Sequence, residues 1–192
     1  MQRATVTAIL IAGLLLGTAV TQAAAGPVRV QFGGGAFGLP WSAGKSSIEA
    51  KYPGGKWDTD EQGRDRYCAT SRQTLLKLAA QYQTRELCFL IGSDGTLGAA
   101  MARMDASLPA LLAVVNRSRT VFGDFDAVRR DDAAIQSRST AMLWTKDAPY
   151  VVQVASSNDS DGRPTDVTFT VADEQNLYTK GAAAVSNRPA AQ

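Results

Sequence analysis

The stretch "ELCFLIGSDGTLGAAMARM", Glu86 to Met104, constrains the fold more than any other part of the chain. Two apolar runs flank Ser93-Asp94-Gly95, and Asp-Gly between such runs is a hairpin device because glycine adopts positive φ at little cost. The spacing predicts a strand over Leu87–Ile91 and a returning strand over Leu97–Met104. Directly after it, "DASLPALLAVVNRSRTVFG" has a helix start at Ser107, Pro109 in the first turn and Gly123 as the stop. Leu111, Leu112, Val114 and Val115 supply its buried side. An antiparallel hairpin joined to an amphipathic helix points to an α+β fold.

Further elements follow along the chain. "VRVQF" alternates Val28, Val30 and Phe32 and is read as a strand. Ser46 with Glu49 three residues on forms a capping box, which predicts a helix over Ser46–Tyr52 closed by Pro53-Gly54-Gly55. A polar turn leads to a strand over Tyr67–Thr70, while Thr74–Tyr82 fits a helix or a strand equally. "DFDAVRRDDAAIQSRS" is read as a polar connection with a short helical piece. "TAMLWTKDAPYVVQVASS" gives a hairpin turning at Lys146-Asp147-Ala148, and "TDVTFTV" a last strand. The expected architecture is a two-layer sandwich, an antiparallel sheet covered by helices. It consists of two halves, each a helix followed by three strands.

Three segments are expected along the chain. Arg3 followed by "TVTAILIAGLLLGTAV" and "TQAAA" reads as a signal peptide over Met1–Ala25. Gly26 to Lys180 forms one α+β domain, and Gly181 to Gln192 is a mobile tail poor in large apolar residues. The apolar run of the signal is short for a bilayer span of roughly 20 residues. No stable membrane insertion is expected after cleavage, and the destination is the periplasm or the exterior. In that compartment the only two cysteines, Cys68 and Cys88, are expected to form a disulfide.

The chain carries 20 Lys and Arg against 18 Asp and Glu, a net charge of +2. That is too near neutrality for a nucleic-acid footprint. It contains no histidine, which removes Ser-His-Asp and Cys-His catalysis and histidine metal sites. "GLPWSAGKSS" (Gly38–Ser47) suggests a phosphate loop, but the spacing requires glycine where Leu39 stands. Pro40 also lacks the N–H that such a loop uses. Ser42 and Lys45 have the Ser-x-x-Lys spacing of penicillin-recognising enzymes, without their later Ser-Asp-Asn and Lys-Thr-Gly elements. Asp58, Asp60 and Glu61 share one turn, and Asn158 to Asp161 another. The second lacks the terminal Glu of a calcium loop. No catalytic residue, cofactor or metal is assigned.

The remaining classes are a binding or inhibitor protein and a histidine-free hydrolase using Ser42 with Lys45, or paired carboxylates. A binding protein needs aromatic or charged anchors, for which Trp57, Arg64, Arg66 and Trp144 are the candidates.

"FGLPW", a helix ending in "YPGG", "LCFLIGSDGTLGAA", a helix ending in "VFG" and "AMLWTKDAPYVVQV" together span Phe37–Val154. In this order they resemble a group of small exported bacterial envelope proteins and lipoproteins of poorly defined function. The resemblance implies a small α/β sandwich module that binds another envelope protein as an assembly factor or inhibitor. Here the chain lacks the lipid-bearing cysteine of the lipoprotein members.

Overall fold

A computed structural model describes residues 25–134 and 137–178. The predicted signal, apart from Ala25, and the predicted tail lie outside the described residues. Helix α1 (Pro27–Phe32) and helix α2 (Lys45–Lys51) precede the strands β1 (Lys56–Thr59), β2 (Asp65–Thr70), β3 (Glu86–Ile91) and β4 (Leu97–Met104). Helix α3 (Leu108–Phe122) then leads to β5 (Ala127–Ala134), β6 (Ser137–Trp144), β7 (Tyr150–Asn158), β8 (Pro164–Asp173) and helix α4 (Glu174–Tyr178). All eight strands form one open antiparallel sheet in the order β1-β2-β3-β4-β8-β7-β6-β5. The fold is α+β.

The hairpin that dominates the sequence is present as β3–β4, with Phe89 opposite Ala100. Its turn places Gly95 at φ 84°. Helix α3 starts where predicted: the Ser107 Oγ accepts the Ala110 N–H at 3.2 Å, and Gly123 at φ 83° ends it.

Other elements differ from expectation. "VRVQF" is helix rather than strand, with Val28 and Phe32 one turn apart on its buried side. Its first turn is capped from the far end of the chain: the Asp147 carboxylate accepts the N–H of Val28 at 2.7 Å and of Arg29 at 3.3 Å. Helix α2 starts at Gly44 without a side-chain cap, and Glu49 accepts the Trp57 indole N–H instead of completing the capping box. Thr74–Tyr82 is largely irregular and ends in a 3-10 turn over Ala80–Tyr82. The polar segments around Trp57 and Arg129 are the edge strands β1 and β5. Four strands rather than three therefore follow α2, and four rather than three follow α3.

Alternate residues divide the sheet into two faces. On the first face Tyr67, Phe89, Ala100, Val171 and Val152 succeed one another across β2, β3, β4, β8 and β7. They join Val28 and Phe32 of α1, Ile48 of α2, and Val114 and Phe122 of α3 in the core. On the second face Cys68, Cys88, Met101 and Thr170 succeed one another. Among the described residues, α4 is the one helix packed on this face. It approaches closely because two glycines permit it. A Cβ on Gly98 would lie 2.8 Å from Leu177, and one on Gly92 would lie 2.3 Å from the Asn176 carbonyl. No helix of the described residues is long and apolar enough to cross a membrane.

Candidate functional site

The four residues singled out in the sequence do not converge. Trp57, Arg64 and Arg66 belong to the β1–β2 hairpin at one edge of the sheet, whereas Trp144 ends β6, near the opposite edge. Trp57 is half-buried and ties β1 to α2. Its Nε1 donates to Glu49 at 2.5 Å, its ring packs on Tyr67 at 5.0 Å, and the Lys45 ammonium stands 5.0 Å over it. Trp144 is 2% exposed, donates to the Gly123 carbonyl at 2.8 Å and meets the rings of Phe122 and Phe125. Both indoles are thus engaged within the fold.

The two arginines are held by carboxylates of the same hairpin. Arg66 makes a two-pronged contact with Asp58, at 2.8 and 2.5 Å. The Arg66 hydrogen bonds keep the Asp58 carboxyl below its usual range, and Asp58 in turn raises Arg66. Arg64 bonds to Asp60 at 2.8 Å. Burial pushes the Asp60 carboxyl up, but hydrogen bonds from the backbone and side chain of Arg64 and from the Gln62 amide outweigh it and hold the group low. Lys45 pairs with Asp65 at 2.6 Å, and Ser42 is exposed. Asp159 accepts the N–H groups of Asp161 and Arg163, closing its turn.

Cys68 and Cys88 sit directly opposite each other on β2 and β3 and form the disulfide. Glu86 lies beside them, and these three side chains group closely enough to hold a metal ion only if the bridge were reduced.

Two surfaces remain. The first is the second face of the sheet. Its centre, where β4, β8 and β7 run side by side, carries Ala99, Met101, Thr170, Ala172, Val151 and Gln153. This neutral strip is bordered by charge. Asp58 with Arg66 and Glu86 lie to one side, Arg103 and Asp166 close one end of the strip on β4 and β8 themselves, and Arg129 lies at the other side. A hollow of about 230 Å³ opens on the strip, its floor formed by Leu90, Ala99, Leu143 and Thr170 and its lining including charged Arg64, Arg129 and Glu174.

The second is a cleft of about 470 Å³ at the C-terminal ends of α1 and α2, between the loop after α1 and the loop after β2. Phe37 and Gly38 have φ 50° and 70°, in a turn closed by reciprocal Ala36–Leu39 backbone bonds of 2.9 and 3.0 Å. Leu76 and Lys77 have φ 49° and 59°, in a turn closed by the Leu78 N–H on Leu75 at 2.8 Å. Two positive φ values in succession mark the mirror-image turn that normally takes Asn and Gly. A bulky residue there costs roughly 1–2 kcal/mol. At the base of the cleft burial raises the Tyr52 phenol, against the opposing hydrogen bond from Gln73. Sequence reasoning missed this cleft, because bulky side chains carry no signal of positive φ.

The chain matches no known protein family, no curated protein and no solved structure.

Proposed function

We propose that this is an exported, non-catalytic protein that binds another envelope protein on the second face of its sheet. The observation that carries the reading is the neutral centre inside a charged border on a face covered, among the described residues, only by α4. Protein interfaces have this anatomy, with charge depleted at the core and polar groups at the rim. The size also fits. Eight strands at roughly 4.8 Å spacing, with about six residues at roughly 3.3 Å rise, give a face on the order of 750 Å². A standard interface buries about 800 Å² per partner. Ala99, Thr170 and Ala172 leave the middle of the centre low between Met101 and Gln153, so the matching partner surface places one large apolar side chain in the hollow over Ala99 and Thr170.

Export agrees with the Cys68–Cys88 bridge and with the signal-like first 25 residues. The finer architecture belongs to the same proposal. A helix followed by a four-stranded meander occurs twice, and the last strands of the two units, β4 and β8, pair at the middle of the sheet. Duplication of such a unit, with the helices forming a second layer, makes the neutral centre the junction between the two copies.

The test is capture of partners from the envelope fraction with purified, oxidised protein and two variants. Gln153→Arg places a charge at the centre of the face, and Asn116→Arg places one on exposed α3 in the other layer. One envelope protein should be retained by the unaltered chain and by Asn116→Arg, and lost by Gln153→Arg. Retention by Gln153→Arg, or no retained protein at several salt concentrations, contradicts the reading.

A further inference from the structure

The cleft at the C-terminal ends of α1 and α2 has the properties of a ligand site independent of the sheet face. Its lining residues include one cation, Lys51, and no carboxylate. Lys51 stands over Gly38, so close that a Cβ there would lie 2.8 Å from its Nζ. Among the described residues Lys51 has no ion-pair partner. Phe37 and Leu76 provide an apolar surface, with Leu75 buried behind them, and Gln31, Gln73 and Thr74 provide hydrogen-bonding side chains.

The walls are also locked in place. The non-glycine residues of positive φ among the described residues are Phe37, Leu76 and Lys77, and all belong to the two turns facing this cleft. Each turn is held through a carbonyl by a donor from a different element. The Tyr52 hydroxyl, at the end of α2, donates to Phe37 O at 2.6 Å. The Arg117 Nε, from α3, donates to Leu76 O at 2.6 Å. Strained backbone persists where surrounding structure over-determines it, and such positions cluster at ligand clamps. A volume of about 470 Å³ lies within the roughly 300–1,000 Å³ of small-molecule sites.

We propose that the cleft binds a small organic carboxylate, with its anion on Lys51 and its apolar body on Phe37 and Leu76. A carboxylate fits better than a phosphate because a single ammonium faces the site, whereas phosphate sites draw on several backbone N–H groups or a helix N-terminus.

The experiment is an NMR titration of the isotope-labelled, oxidised protein with 4-phenylbutyrate, and with its neutral amide and phenyl phosphate as comparison probes. Phenylbutyrate should give saturable shifts centred on Phe37, Gln73 and Leu76. The amide should bind at least about tenfold more weakly, since loss of one charge-assisted contact removes that order of affinity. Lys51→Gln should weaken phenylbutyrate to a similar degree, while Lys56→Gln on the edge strand leaves it unchanged. A separate spectrum of Lys51→Gln, superimposable away from the cleft, shows that the fold is intact. The proposal is overturned by equal binding of acid and amide, by shifts centred elsewhere, or by no saturable shift. Tighter binding of phenyl phosphate overturns the carboxylate assignment. None of these outcomes depends on whether the sheet face binds a protein.

Discussion

The two faces of the sheet are built from the same strands, yet they carry different residues. On the covered face Phe89, Phe169, Val152, Val154 and Val171 are all 0% exposed and pack against three helices. On the other face their chain neighbours are Cys88, Thr170, Gln153, Ala155 and Ala172, and α4 covers only one end. Burying a large side chain contributes roughly 1.5–3 kcal/mol, so the covered face supplies the stability. The other face buries smaller side chains, among them Cys88, Ala99 and Leu143, and is the face on which the proposed binding is placed.

The sharpest way to break the comparison is to truncate one neighbouring residue on each face. Phe169→Ala should cost about 3–5 kcal/mol through loss of buried area and the cavity left behind. Thr170→Ala, one residue along the same strand, should stay within about 0.5 kcal/mol. Urea unfolding midpoints check both, and equal losses would abolish the distinction. Removing the bridge by Cys68→Ser with Cys88→Ser should cost about 2–4 kcal/mol. Unfolding should remain one cooperative transition because the helix-covered core cluster is untouched; two transitions in the melting curve would show that the second face holds the sheet together. A smaller loss than that of the bridge concerns the covering layer. Asp147→Ala removes the distant cap of α1 and should lower stability by about 1 kcal/mol, with faster amide exchange at Val28 and Arg29. Unchanged exchange there would show that α1 is held by Val28 and Phe32 alone.

The sequence announces the elements whose signals are local. The Asp-Gly turn of β3–β4 and the Ser107 cap of α3 lie within a few residues of what they organise. Helix α1 is illegible because its cap, Asp147, comes from 119 positions away in the chain. Its valines read as strand without that contact. The edge strands escape detection for a different reason. Arg129, Arg130, Asp131 and Asp132 in β5 look like a solvated connection, and charge is what keeps an exposed edge from pairing with other chains. The hairpin around Trp57 was legible as a place of interest. What its side chains do, bonding to Glu49, Asp58 and Asp60, depends on strand register. The neutral strip left almost no trace, since Ala99, Thr170 and Gln153 are unremarkable until β4, β8 and β7 are laid side by side. The turns at Phe37 and Leu76 were invisible because they run against local preference and are held by Tyr52 and Arg117.

The most direct test of the division between faces uses the two methionines that the sheet places on opposite sides, Met101 on the second face and Met142 on the covered face. Both are half-buried in the free protein. Oxidative footprinting by mass spectrometry, with and without the captured envelope partner, reports the accessibility of each. Protection of Met101 with Met142 unchanged is the result this account expects. Protection of Met142, or no change at Met101 in the complex, would contradict it.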